Sequence, residues 1–347
     1  MRKKRKILYV LGFILALYMF VFSLTLIKVS SASLGEGIFS LTGDNVSEIN
    51  AFGLGWLATL ITQSSGAAAA ILIAFSLVGI IGPIILLYMI IGTRIGTSIT
   101  ALFTAFLVHA KRRDFRHGFE IGLANLVYAI PIAIVMFLLE FFTGFFHKIG
   151  TYFVVFDSPF KYNIVDMVVL PVINLFSFIP NHLNLVLGIF LLVGSLKYIP
   201  KFMINIWGEK HLKRKINEFL DKKWKSFLLG LGITALLMST SITITFLIPL
   251  VITRITKLKN VIPYMIGANL GGVSEIILGG LVLGGRALPA IFTYVSFSLL
   301  GLLWMFNTDL MFKITKFISK RTLRISRKRA LMFIVAFVLV ALILSFI

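Results

Sequence analysis

Long apolar runs separated by short polar or basic stretches recur from one end of the chain to the other. The clearest are Ile7–Ile27, Pro83–Val108, Gly118–Phe146, His182–Tyr198, Val261–Leu283, Leu288–Phe306 and Ala330–Ile347. Each is close to or above the ~18 residues that take a helix across a bilayer. A water-soluble core has room for one such run, not for all of them. Two further apolar stretches, about 51–78 and about 225–253, carry a polar centre: Gln63-Ser64-Ser65-Gly66 in the first and Met238-Ser239-Thr240-Ser241 in the second. The pattern predicts an all-α polytopic membrane protein.

The two polar centres belong to an internal repeat. Leu54–Gly66 aligns without a gap on Leu229–Ser241, and Gly92–Thr97 aligns on Gly267–Gly272, both at one constant offset. The pairs Gly55/Gly230, Thr59/Thr234, Ser64/Ser239, Gly92/Gly267 and Gly96/Gly271 are identities. Small residues recur by chance in membrane helices because they let helices approach closely. Two blocks that keep one spacing argue for duplication. The helices ahead of the blocks also match loosely, Leu11–Leu15 against Leu187–Leu191.

Charge then orients the copies. Arg254–Lys259 is basic where its counterpart Gly79–Ile84 has no charge; Lys111–His117 is basic where Arg286–Phe292 carries one charge. Basic loops stay cytoplasmic. Every basic cluster, including Lys197–Lys225 and Lys313–Arg329, falls on one side only if both polar-centred stretches are re-entrant hairpins. The expectation is two inverted repeats, 1–181 and 182–347. Each holds a hairpin (about 51–78 and about 225–253) and a Gly-broken transmembrane helix (about 83–108 and about 261–283), with one more transmembrane helix at the C-terminus. Asn163–Pro180, interrupted by Asp166, Pro171 and Asn174, reads as interfacial or partly re-entrant. The basic start followed by a 21-residue apolar run reads as an uncleaved first helix with a cytoplasmic N-terminus, since cleaved signals carry shorter apolar regions.

Composition agrees. Hydrophobic residues make up 59% of the 347, charged residues 14%, and mean hydropathy is +1.00. Soluble domains carry about a quarter charged residues. The formal net charge of +21 would suggest nucleic acid in a soluble protein. Loops beside membrane spans explain it better, so no nucleic-acid partner is expected and the bilayer itself is. Absence of cysteine excludes thiolate chemistry. The five histidines lack metal-ligand spacing. No nucleophile elbow, zinc motif or P-loop marks an enzyme, and no cofactor is expected.

Candidate chemistry sits in the repeat cores. Ser64, Ser65, Ser239, Thr240 and Ser241 offer hydroxyls and Gln63 an amide, groups that both donate and accept and so suit an oxyanion beside a dehydrated cation. A helix that starts after such a tip aims free N–H groups at an anion. The glycines of 92–96 and 267–271, with Thr93, Thr97, Ser98 and Asn269, would permit an unwound helix whose carbonyls hold Na⁺. The plainer reading is close helix packing. Arg94 and Glu275 lie in or just beyond these breaks, where ionisable groups are functional candidates. Arg94 either binds an anion through its planar fork or pairs with Glu275 across the repeat interface.

At Gln63-Ser64-Ser65 and Gly267-Ala268-Asn269-Leu270-Gly271 the chain resembles the type II sodium-dependent phosphate cotransporter family. That family carries Gln-Ser-Ser-Ser and Gly-Ala-Asn-Ile-Gly-Thr-Thr motifs in each of two inverted repeats. They correspond here to Gln63–Gly66 with Met238–Ser241, and to Gly92–Ser98 with Gly267–Val273. The resemblance implies secondary-active phosphate uptake at the cell membrane, with Na⁺ the coupling ion near Gln63, Ser64 and Asn269, by an elevator or rocking alternation; a homodimer is a further expectation. Met238 stands for a Gln, Gly66 for a Ser, Arg94 for an Asn and Gly272 for a Thr. Arg94 would then stand in for a bound Na⁺. The alternatives are a carrier for a different anion without sodium coupling, or a non-transporting membrane scaffold or sensor.

Overall fold

The computed structural model describes residues 2–32, 46–107, 112–155, 164–176, 178–208, 219–220, 222–252, 254, 256–323 and 327–347. Among them every regular element is helical. In chain order these are α1 (Arg2–Ala32), α2 (Glu48–Thr62), α3 (Ser65–Leu77), α4 (Pro83–Gly96), α5 (Ser98–Leu107), α6 (Arg112–Thr143), α7 (Phe145–Val155), α8 (Ile164–Asn174) and α9 (Asn181–Trp207). There follow α10 (Lys223–Leu237), α11 (Thr240–Thr245), α12 (Leu247–Ile252), α13 (Leu258–Gly271), α14 (Val273–Leu283), α15 (Leu288–Leu300), α16 (Leu303–Phe306), α17 (Thr308–Leu323) and α18 (Arg327–Phe346). Seven helical stretches among the described residues are long and apolar enough to cross a membrane. Large apolar side chains such as Phe142, Phe190 and Phe306 point outward, as lipid-facing residues do. The chain is an all-α polytopic membrane protein.

The polar-centred stretches are helical hairpins. The arms α2 and α3 span roughly 22 Å and 20 Å at 1.5 Å per residue, short of the ~30 Å hydrocarbon core. Each hairpin packs on a broken helix, α2 on α4 and α10 on α13. The glycines explain how closely. A Cβ on Gly55 would strike the carbonyl of Met89, and one on Gly92 that of Phe52. In the second set Gly230 meets the carbonyl of Tyr264 and Gly267 that of Phe227. Gly96 lies against Thr59 and Gly271 against Thr234. Every partner in one set has its counterpart 175 residues on (230 − 55 and 264 − 89, for example), so the repeat seen in sequence is also a repeat of contacts.

The glycine pairs therefore serve close packing. Interruption of the helices falls one residue later, at Thr97 and Gly272, whose backbones stay right-handed helical (φ −55°, ψ −28° and φ −64°, ψ −11°). The expected unwinding is thus confined to a single residue in each helix.

The two hairpins start beside different helices. Asn50, at the start of α2, donates from Nδ2 to the carbonyl of Leu344, near the end of α18. Ser226, at the start of α10, donates to the carbonyl of Asn260. Neighbouring Lys259 pairs with Asp309 at 2.8 Å, which holds that carboxyl below its ordinary range. At this same end Glu120, fully buried, accepts from Arg116 (3.2 Å), Lys316 (2.5 Å) and Ser319 (2.9 Å). Basic residues thus gather where α10, α13 and α17 begin. The candidate basic cluster 111–117 lies partly outside the described residues, as does 197–225.

Around this core, α1 packs along α9, with Gly12 against Phe202 and Gly188 against Ile27. The eleven residues of α8 reach roughly 16 Å, too short to cross, and pack Val169 and Ile173 on Phe22 and Leu26 of α1. Gly144 ends α6 with positive φ, and the Glu140 carboxylate caps α7 through the N–H of Phe146 (2.7 Å).

Because the glycine contacts are backbone on backbone, Gly92→Ala and Gly267→Ala should each destabilise by about 1–3 kcal/mol, read as a lower unfolding midpoint in detergent. Gly232→Ala, where an added Cβ meets nothing within 4 Å, should be neutral or slightly stabilising.

Candidate functional site

The two hairpin tips meet. Gln63 ends α2 in the left-handed region (φ 56°) and Met238 ends α10 in the same way (φ 50°). Such non-glycine conformations are held by surrounding structure and cluster at functional sites. The next residues, Ser64 and Ser239, are extended and cap the following helices, Ser64 Oγ accepting from Ala67 N–H and Ser239 Oγ from Ile242 N–H. The left-handed turn presents the Gln63 carbonyl to the other tip, where it accepts from Ser241 Oγ at 3.2 Å. Thr100 Oγ1 donates to the same carbonyl at 3.4 Å.

A cavity of about 420 Å³ opens where the tips touch. Gln63 and Ser64 line it from one tip, Ser239 and Ser241 from the other. Thr100 and Glu275 close its wall, and Lys197 and Lys201 of α9, one turn apart and both exposed, bring two cations to its edge. Apart from the Glu275 carboxylate, the wall combines hydroxyls, an amide and cations, the groups that bind an oxyanion.

The remaining candidates lie behind the tips in a buried polar network. Arg94 is 2% exposed and sits in the last turn of α4. Its Nη2 donates to the backbone carbonyl of Asn269 (3.3 Å) and to Ser298 Oγ (3.0 Å), which itself donates to Asn269 O (3.0 Å). Residues 94 and 269 are 175 apart, so equivalent positions of the two copies touch. The guanidinium lies 4.3 Å from the Tyr294 ring centre and 5.1 Å from that of Phe297, a cation–π arrangement. Asn269 Nδ2 donates to Asn125 Oδ1 (2.9 Å), and Asn125 Nδ2 to Ser98 Oγ (2.9 Å). Ser65 Oγ shares a hydrogen bond with Tyr294 Oη (2.9 Å). Thr240 Oγ1 reaches Ala268 O, while Thr93 and Thr97 bond carbonyls of their own helix.

Arg94 and Glu275 do not form an ion pair: Glu275 accepts from Ser64 Oγ at 2.7 Å, and Arg94 is held by the Asn269 carbonyl. Arg94 Nε and Nη1 and the Tyr128 hydroxyl have no hydrogen-bond partner within ordinary geometry. Of the candidate residues, Gln63, Ser64, Ser239, Ser241 and Glu275 are gathered at the cavity. Ser65, Thr93, Arg94, Thr97, Ser98, Thr240 and Asn269 stand behind it. Sequence reasoning missed Asn125, Tyr294, Ser298, Thr100, Lys197 and Lys201. A signal existed for Asn125 and Ser298, polar residues inside apolar runs. Among the described residues no group of His, Cys, Asp and Glu is arranged to hold a metal ion.

The sequence profile of the Na⁺/Pi-cotransporter family matches residues 10–160 and 190–345, most of the chain. No curated protein and no solved structure matches it. The chain belongs to the Na⁺/Pi-cotransporter family, a family of transporters.

Both capping serines should matter, but unequally. Ser239→Ala should cost about 1 kcal/mol for the lost cap. Ser64→Ala should cost about 1–3 kcal/mol more, because it also strips a buried carboxylate of its donor. Equal shifts in unfolding midpoint would mean that the Ser64–Glu275 contact has no energetic weight.

Proposed function

We propose that this member of the Na⁺/Pi-cotransporter family is a secondary-active carrier of inorganic phosphate, or an oxyanion of the same shape and charge, in the cell membrane. The observation that carries the reading is the cavity where the two hairpin tips touch, lined by Gln63, Ser64, Ser239 and Ser241. Short arms and a shared 175-residue spacing of contacts, together with the charge pattern of the loops, support reading 1–181 and 182–347 as inverted repeats, with sites at their interface. The gathering of basic residues at one end supports a cytoplasmic assignment for that end. The N-terminus then lies inside, since Gly12 of α1 packs on Phe202 in the last turns of α9. Lys197 and Lys201 would draw the anion toward the tips by long-range attraction.

Sodium coupling is the family's property by name, and one observation favours less of it here. The Asn269 carbonyl, an oxygen that a dehydrated cation would seek, accepts from Arg94 and Ser298 instead. On this second reading Arg94 is a fixed cation that takes the place of one transported Na⁺.

Labelled-phosphate flux into proteoliposomes tests the first reading. Saturable uptake is expected, and Gln63→Gly, which removes the amide without straining the left-handed turn, should reduce it at least about tenfold. A folded protein without flux under Na⁺ or pH gradients would leave the scaffold reading. The Na⁺:phosphate ratio tests the second: Arg94→Asn should raise it by one Na⁺ per phosphate. An unchanged ratio removes Arg94 from the coupling.

A further inference from the structure

The second copy lends a carboxylate to the tip of the first. Glu275 belongs to the first turn of α14, yet its side chain crosses to α3, where Oε1 accepts from Ser64 Oγ at 2.7 Å. Its carboxyl carbon lies so close to Gly66 that a Cβ there would overlap it. The group is 4% exposed and forms part of the cavity wall. It occupies the opening turn of α3, a 13-residue helix whose first N–H groups lack intrahelical acceptors and favour negative charge.

Nothing equivalent occurs at the second tip. The position that matches Glu275 in the first copy is Thr100, and the one that matches Gly66 is Ser241. Loss of a side chain at 66 and gain of a carboxylate at 275 thus make a complementary pair, a slot and its occupant. The contacts that the occupant makes, a hydroxyl donor and a helix start, are those that a bound oxyanion would use.

Building on the phosphate-carrier reading, we propose that Glu275 is a tethered surrogate anion, which fills the α3 slot of the empty carrier and is displaced from Ser64 by the incoming oxyanion. Substrate and side chain compete for one place, so the tether lowers substrate affinity and keeps the slot from standing empty and dry. Arg94, buried behind the tips with two unbonded donors, supplies a cation for the freed carboxylate.

The test is equilibrium binding of labelled inorganic phosphate to the full chain in nanodiscs, for wild type, Glu275→Gln and Glu275→Asp. Glutamine removes the charge; aspartate keeps it but is one methylene too short to hold Ser64. Both variants are expected to bind phosphate on the order of tenfold more tightly, the effect of one weakened charge-assisted contact. Unchanged or weaker binding in both overturns the proposal. Tighter binding by the glutamine variant alone also overturns it, since that is general charge repulsion in the cavity without a tether. Should Glu275→Gln fail to fold, the aspartate variant decides alone. Absence of phosphate binding in wild type and variants alike sinks the carrier reading and this proposal with it, a result distinct from wild-type binding that neither variant improves.

Discussion

Backbone packed on backbone is the constraint from which the rest of this structure follows. Two helices approach closely enough for carbonyls to touch Cα atoms only where side chains are missing, and Gly55, Gly92, Gly230 and Gly267 supply those places. In a bilayer, where lipid is as apolar as leucine, such van der Waals contact holds helices together. It also fixes α2 against α4 and α10 against α13, and so sets the depth at which each hairpin stops. Were either arm to ride higher, the Gln63 carbonyl and Ser241 hydroxyl would not meet. The polar tips, which have no place among lipid tails, then face each other around a cavity, where their backbone groups find partners.

On this nearly two-fold frame the charges are distributed unevenly. Arg94 and Asn269 are equivalent positions, yet one carries a cation and the other offers a carbonyl to it. Glu275 and Thr100 are equivalent too, and only one is charged. A buried ion without a partner is expensive, and each here is eased by a different device. Arg94 has a carbonyl, a hydroxyl and two aromatic faces; Glu275 has a hydroxyl and the start of a helix. The two copies share their contacts and differ in their electrostatics.

Much of this was legible in the sequence because it is local or periodic. Apolar length gave the helices, a constant offset gave the repeat, and Gln63-Ser64 and Met238-Ser239 marked the two turns. The glycine blocks were visible, but whether they unwind a helix or let another approach depends on the neighbour, and here Phe52 and Phe227 carbonyls occupy the space. The same holds for Arg94 and Glu275. Sequence offered Arg94 either an anion or Glu275, whereas the fold supplies the Asn269 carbonyl to Arg94 and Ser64 to Glu275, residues far away along the chain. Lys197 and Lys201 looked like ordinary loop-edge cations until α9 brought them to the cavity.

The tip residues Gln63 and Met238 carry a further implication. Both sit in a left-handed conformation that costs a side-chain-bearing residue about 1 kcal/mol or more, and both are followed at once by a capping serine. A turn of this kind has no easy neighbouring conformation to relax into: straightening it would forfeit the cap, and tightening it would clash. Each hairpin is consequently stiff at its apex: its two arms cannot hinge against each other without giving up the serine cap.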